Sequence, residues 1–420
     1  MTEDERVTFA DIQAAQERLD DPTVVQRTPT GRSTALEAMT GADEVVLKFE
    51  HLQWTGSFKP RGAYNKIKQA VDERNVEAVI AASAGNHAQG VALAATRLGV
   101  ESTIVMPRTA PQTKIDATRS YGATVELVGV DFQDAMAHAK ELAAESDGEF
   151  VHAYDDPAIV AGQGTLGVEM YEDLPDVETV VVPIGGGGLI SGIATAFAEL
   201  RPETRIVGVQ AEEAATVPES LAKGIPQTLD SVDTIADGIA TGNVSALTLS
   251  IIERHVDQVV TVNNSQIADA ILVLIERAKQ VVEGAAAAPV AAIRSPDLDV
   301  AGETVMPLLS GGNLDMTMLR AVLIHALTRR RQLIQLRVHI DDQPGTMAEL
   351  STIIGDHDAN IQTVRHDRAL TDLDIGEAYL VFEVETSGVG HAADIMDDIA
   401  GHGYPVEIVG EPETDLGQGS

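Results

Sequence analysis

The chain has 420 residues, 44% of them hydrophobic, which is too long for one ordinary core and apolar enough to build two or three. Its 65 Asp and Glu against 29 Lys and Arg leave a formal net charge of −36. That acidity is spread along the chain, argues against a nucleic-acid or anionic-membrane partner, and resembles the hydrated surfaces of high-salt cytoplasm. With no cysteine, disulfides, thiolate metal sites and cysteine nucleophiles are excluded. Met1–Arg6 lacks a basic-then-apolar pattern and no 18-residue apolar run occurs, so the expectation is a cytoplasmic protein without membrane spans.

Residues 9 to 20 carry a helix period, broken by Thr28-Pro29-Thr30. A short apolar strand, Val45–Phe49, then delivers the chain to Thr55-Gly56-Ser57-Phe58-Lys59-Pro60-Arg61-Gly62-Ala63. The lysine sits between a small-residue turn and what reads as a helix start. An amine kept partly desolvated beside another cation, here Arg61, can lose its proton near neutral pH and attack a carbonyl. From this stretch alone, a solvated surface lysine is the commoner case.

Strand and helix then alternate. Apolar runs at Ala78–Ala82, Ser102–Met106, Thr124–Val128, Val180–Pro183 and Arg205–Val209 are separated by helix-period segments such as Asn86–Leu98, Pro111–Tyr121 and Phe132–Glu145. The pattern predicts parallel sheets covered by helices, with ligands beyond the carboxyl ends of the strands. Ser83-Ala84-Gly85-Asn86-His87-Ala88-Gln89-Gly90 occupies one such end. Its small residues let a ligand approach the backbone, and Asn86 both donates and accepts. A tight strand-to-helix turn with an Asn cap fits it as well. His87 has no second ligand at metal spacing, so it reads as loop support.

Gly185-Gly186-Gly187-Gly188-Leu189 occupies another strand end, before a helix expected over Ile190–Leu200. Four glycines free the backbone N–H groups to converge, and the helix adds its positive end, which makes an anion cradle of phosphate size. It fits neither the dinucleotide pattern nor a nucleoside-triphosphate loop, because Ile190 and Ser191 stand where later glycines are required and no Gly-Lys-Ser/Thr follows. A monophosphate ester is the better guest. After the apolar stretch Val305–Leu309, Ser310-Gly311-Gly312-Asn313 can present a hydroxyl to a ring nitrogen; a plain turn fits it equally.

Arg329-Arg330-Arg331 ends the helix expected over Met316–Leu327, where the helix dipole favours cations, and a domain boundary is placed there. Beyond it the order is strand (Leu333–Ile340), helix (Gly345–Gly355), strand (Asn360–His366), strand (Glu377–Glu385), helix (Ala392–Gly401), strand (Tyr404–Val409). That βαββαβ order is the ferredoxin-like unit. The polar tail, residues 411–420, reads as disordered.

Together, Thr55–Ala63, Ser83–Gly90, Gly185–Leu189 and Ser310–Asn313 resemble the fold type II (tryptophan synthase beta-like) pyridoxal-phosphate enzymes, and within them the threonine/serine dehydratases. Asp155-Asp156-Pro157 with Ala161-Gly162-Gln163-Gly164-Thr165 is similar to another stretch of that group. The resemblance implies a two-lobed α/β catalytic domain over residues 1–328, with a smaller lobe at about 46–153, and a linker at 329–332. Lys59 would carry pyridoxal 5'-phosphate as a Schiff base and move the substrate α-proton. Gly185, Gly186, Gly187, Gly188 and Leu189 would hold the cofactor phosphate, Asn86 the phenolic oxygen, and Ser310 the pyridine nitrogen. Ser83, Ala84, Gly85 and His87 would receive the substrate. The implied reaction is dehydration and deamination of L-threonine, or of L-serine, to a keto acid and ammonia.

Two features depart from the family pattern. Ala84 stands where related serine racemases carry a serine that protonates the opposite face, which leans toward dehydration. Ala153-Tyr154 stands where dehydratases often have Pro-Phe or Pro-Asn. A cation site at Gln210 and Thr216, with Glu212 and Glu213 between, is not assigned, so no metal is expected. Residues 333–410 resemble an ACT domain, an amino-acid sensor, through Asp342, Gln343, Pro344 and Gly345 at its first turn and Asn360 and Ile361 entering its second strand. Isoleucine or valine would be the effector, and pairing of such domains implies a homo-oligomer, dimer or tetramer. The rival readings are a serine ammonia-lyase or serine racemase-like enzyme, a dimerisation module without effector, and a non-catalytic amino-acid-binding regulator.

Overall fold

Ten strands' worth of chain up to Met318 and a shorter remainder from Leu319 form two separate units in a computed structural model that describes residues 7–371 and 373–409. The tail expected to be disordered lies outside the described residues. The division falls inside the Met316–Arg329 helix rather than after residue 328, although the arginine run does end that helix, with Arg331 at φ +53°.

In the first unit the strands are β1 (Thr30–Arg32), β2 (Glu44–Lys48), β3 (Ala78–Ala82), β4 (Glu101–Met106), β5 (Thr124–Leu127), β6 (Glu149–Phe150), β7 (Thr179–Pro183), β8 (Arg205–Ala211), β9 (Gln258–Val262) and β10 (Thr304–Pro307). The larger sheet runs β1-β2-β10-β7-β8-β9. It is parallel except for β1, whose Thr30 pairs antiparallel with Lys48. The smaller sheet, β5-β4-β3-β6, is parallel throughout and is inserted between β2 and β7. Parallel strands need crossover helices, which cover both faces, and β7 is accordingly buried at every position. Val180, Val182, Ile190, Phe197 and Ile206 centre the larger lobe, and Val79, Ala81, Val91, Ile104 and Ile115 the smaller.

One helix sets the geometry between them. Pro157–Asp173 is capped by Asp156, which accepts from Ala158 N at 2.8 Å, and is buried along most of its length. Its glycines let two neighbours press close. A Cβ on Gly162 would lie 2.6 Å from Gly62 Cα, and one on Gly192 would lie 2.5 Å from Gly164 N. The Lys59–Arg74 helix and the Gly188–Leu200 helix are thereby locked to a common support.

In the second unit, β11 (Leu333–Asp341), β12 (Asn360–Asp367), β13 (Glu377–Glu385) and β14 (Val406–Ile408) form an antiparallel sheet in the order β12-β13-β11-β14. With helices Thr346–Asp356 and Val389–Gly401 this is the ferredoxin-like arrangement. Alternate β11 residues, among them Leu336 and Val338, point at Ile354, Phe382 and Ile395. No described helix is long and apolar enough to cross a membrane.

Candidate active site

Lys59 opens its helix, with Pro60 in the first turn, where a missing N–H costs nothing. Its Nζ donates to Ala153 O at 3.3 Å and lies 4.9 Å from the Phe58 ring. Residue 59 as a whole is only partly covered, but its amine sits deep among protein atoms. That burial brings the pKa down to about 8, against the opposing pull of Glu283.

The cause differs from the one read in the sequence. Arg61 does not act on Lys59, because its charge is already matched. Its guanidinium reaches Glu50 at 2.7 and 3.0 Å and Glu169 at 2.8 Å, all of them buried. Burial opposes the arginine's charge, but the two carboxylates outweigh it and hold it above the ordinary arginine range. Lys48 extends the same network to Glu169 at 2.6 Å and Asp173 at 2.7 Å.

The Asn86–Leu98 helix packs directly on this lysine. A Cβ on Gly90 would lie 2.9 Å from the Lys59 carbonyl carbon, which explains the glycine one turn into the helix. Asn86 Nδ2 donates to Glu283 at 2.8 and 3.1 Å. Asn86 Oδ1 accepts from Asn313 Nδ2 at 2.8 Å, and Asn313 also donates to Thr55 O at 2.7 Å. Glu283 is the site residue that the sequence reading missed. It is buried at the start of the Gly284–Ile293 helix, and burial raises its pKa although Asn86 draws it down. Its sequence signal is one acid at the mouth of an all-apolar run, Glu283-Gly284-Ala285-Ala286-Ala287-Ala288. Gly238 and Gly311 make room for it, since Cβ atoms there would come within 2.8 and 2.4 Å of Oε1.

Ser310, also buried, joins the same assembly. Its carbonyl accepts from Phe58 N at 3.2 Å, and Gly56 O accepts from Gly312 N at 2.8 Å, so residues 309–313 run beside the lysine stretch. In the neighbouring loop Ser83 Oγ accepts from Gly85 N at 3.1 Å, and a Cβ on Gly85 would meet nothing within 4 Å. Ala84 is half-buried against the smaller lobe's core. His87 is buried, and its Nε2 donates to Val151 O at 2.9 Å, as it must toward a carbonyl. Burial first, and the Lys59 charge second, push it down to about 3, so it stays neutral and braces the loop.

The glycine run completes the site. Gly187 has φ +90°, a conformation that favours glycine, and caps the Gly188–Leu200 helix. Every Cβ direction is occupied. Thr241 lies 3.0 Å from a Cβ on Gly185, the Tyr154 ring 2.2 Å from one on Gly186, and Thr248 and Tyr154 each 2.9 Å from those on Gly187 and Gly188. The N–H groups of Gly185 to Gly188 meet no protein acceptor among the described residues. A loop packed hard on its Cα faces, with its donors unmatched and a buried helix starting at Gly188, has the form that can receive an anion.

In the second unit Gly345 has φ +104° and caps the Thr346–Asp356 helix. Gln343 helps line a cavity of about 250 Å³ with His339, Asp341, Thr346 and Tyr404. Asp342 is engaged by Arg368 at 2.5 and 3.2 Å, and Asn360 by Glu385 at 3.0 Å. Pro344 and Ile361 do not line this cavity. At the cation position considered above, Gln210 accepts from Val217 N at 2.9 Å and donates to Ala214 O. Among the described residues no group of three or more His, Asp or Glu is placed to hold a metal.

Comparison with known proteins adds to this geometry. The family model described as pyridoxal-phosphate dependent enzyme matches residues 22–311. L-threonine ammonia-lyase of Thermotoga maritima is 44% identical over 404 residues, spanning 96% of this chain and 100% of the relative. Threonine deaminase isoform 2 from Solanum lycopersicum superposes with a TM-score of 0.72 at 38% identity, covering 76% of this chain and 92% of its own. Maize serine racemase gives 0.71 at 33% identity, with 77% and 99% covered.

Proposed function

Because the chain belongs to the pyridoxal-phosphate dependent enzyme family, we propose that it is a threonine ammonia-lyase, converting L-threonine to 2-oxobutanoate and ammonia. The observation that carries this is the meeting, in one site, of a lysine brought to about pKa 8, the Asn86–Glu283 pair, Ser310 and four unmatched N–H groups. These residues fit the cofactor. Gly185 to Gly188 and Leu189 would hold its phosphate, Lys59 its aldehyde carbon, Asn86 its phenolic oxygen and Ser310 its ring nitrogen. Bound there, the cofactor supplies a carbonyl that links to amines and a ring that withdraws electrons from the substrate α-carbon.

The protein's own part is proton handling and orientation. Lys59, neutral in a good fraction of molecules near its pKa, takes the α-proton. Open space at Gly85, beside Ser83 and Ala84, receives the carboxylate. The β-hydroxyl departs as water, and a later water replaces the amino group, so the net change is loss of ammonia. Ala84 offers no hydroxyl to return a proton on the opposite face, which favours elimination over racemisation. A neutral serine beside the ring nitrogen works in the same direction. The name of the Thermotoga relative supports threonine over serine.

The second unit would act as an ACT sensor of isoleucine or valine, with a coupling of roughly 1–3 kcal/mol, in a cytoplasmic homo-oligomer. Keto-acid release from threonine and from serine, with and without isoleucine or valine, tests the reading. Faster release from threonine is the expected result; release from neither amino acid contradicts the activity. Unchanged effector response after truncation at Arg331 contradicts the sensor.

A further inference from the structure

Resting on the reading of Gly185–Gly188 as the cofactor's phosphate cradle, we propose that Tyr154 and Asn243 are positioning residues that form a clasp across the lobes, keeping a cover segment shut over that cradle and so slowing loss of a phosphate-bearing cofactor. Tyr154 follows β6 of the smaller sheet, whereas Asn243 precedes the Ala246–His255 helix of the larger lobe. The Tyr154 hydroxyl donates to Asn243 Oδ1 at 2.9 Å. The phenol is half-buried, and burial holds it up at about 12, so it remains a donor at any working pH.

Both ends of this bond are anchored where they matter. The Tyr154 ring lies flush on the backbone of Gly186, and its Cβ and main chain lie against Gly188, which is why neither position has room for a Cβ. Asn243 forms an isolated antiparallel bridge with Thr228, and Leu229 N donates to Gly242 O at 2.8 Å, closing residues 230–241 into an excursion with a pinched base. The tip of that excursion rests on the site. Ile239 Cα and Thr241 Oγ1 come within 3.2 and 3.0 Å of a Cβ on Gly185, and Gly238 abuts Glu283. Asp237 at the tip also reaches Lys114 of the smaller lobe at 3.3 Å, a half-exposed pair of small worth. The Tyr154–Asn243 bond is therefore the better-shielded tie holding the base of the cover to the cradle wall.

A tie that must open before the cofactor can leave slows its release without taking part in the chemistry. Tyr154→Phe keeps the ring on Gly186 and removes only the hydroxyl, and Asn243→Ala removes the acceptor. Loss of one such hydrogen bond corresponds to roughly two- to tenfold faster release. The test loads full-length protein with pyridoxal phosphate and follows loss of its visible absorbance after transfer into a scavenger of free cofactor. Limited proteolysis of the cofactor-free protein, read within residues 228–243, gives the second readout.

Each variant is expected to release cofactor several-fold faster and to be cut faster in the cover. The double variant should be no worse than either single, because both remove the same bond. Release and cleavage at the wild-type rate in both variants, or effects that multiply in the double, would overturn the clasp. Wild-type protein that takes up no cofactor, or Gly186→Ala protein that holds it as tightly as wild type, would overturn the cradle reading beneath it and the clasp with it.

Discussion

Two buried cationic regions lie within one helical turn of each other, and they treat charge in opposite ways. Around Lys48 and Arg61 every positive group meets carboxylates, with Glu50, Glu169 and Asp173 all within 2.8 Å of a partner nitrogen. At Lys59 the amine meets one carbonyl at 3.3 Å, and the nearest influential carboxylate, Glu283, is bound to Asn86 instead. Matched charges in the interior tie elements together; an unmatched amine is pushed toward its neutral, nucleophilic form. Arg61 on the same helix thus holds the frame, while Lys59 is left reactive because its neighbours decline to pair with it.

The sharpest way to break this comparison is to remove the reactive amine. Lys59→Ala is expected to abolish the cofactor's lysine-bound visible band and to cut threonine deamination by roughly 10²–10⁴-fold or more; Lys48→Ala should leave the band in place. Next in size comes the matched network. Glu50→Ala leaves the buried Arg61 charge with Glu169 alone and removes its two hydrogen bonds to Glu50, and should cost about 1.5–3 kcal/mol in chemical denaturation. A loss no larger than that of a surface substitution would mean the network does not hold the frame.

The third prediction concerns protons. Attachment of pyridoxal phosphate to cofactor-free protein needs the neutral amine, so its rate should climb with pH and level off above about 8. A midpoint near the ordinary lysine value of ~10.4 would show that burial does not act on this amine. The smallest effect is expected at Ser310. Removing one neutral hydrogen bond by Ser310→Ala should slow turnover by about tenfold or less, with little change in cofactor retention.

Much of the frame was legible in the residues. The helix Phe132–Glu145 and the strand Glu377–Glu385 occupy the spans their periodicity indicates, since each has one face on a core and a more exposed one. The helix Asn86–Leu98, buried from His87 to Ala95, was marked instead by the Ser83–Gly85 turn before it and Gly99 after it. The helices Pro157–Asp173 and Gly284–Ile293 escaped that reading because they are buried nearly all round and carry Gly, Ala and an internal Pro289 in place of an amphipathic stripe. Strand β9 was missed as well; its burial is partial and it carries no flanking glycine or proline.

Site residues were legible where the backbone itself is unusual. Four consecutive glycines and a lysine at a helix start mark themselves, and the structure gathers both with Asn86 and Ser310 in the first unit. Glu283 was invisible because its role depends on two distant glycines, Gly238 and Gly311, and on Asn86 across the lobe. The origin of the Lys59 shift was misread for a similar reason. Sequence proximity placed Arg61 beside the amine, but only the fold reveals that Glu50 and Glu169 already claim its charge.

The most direct test of the central claim is to load the protein with pyridoxal phosphate, reduce it with borohydride and map the modified peptide. The account predicts a pyridoxyl group on Lys59 and on no other lysine, absent from Lys59→Ala protein. A label on Lys48 or Lys114, or no label in protein that deaminates threonine, would contradict it.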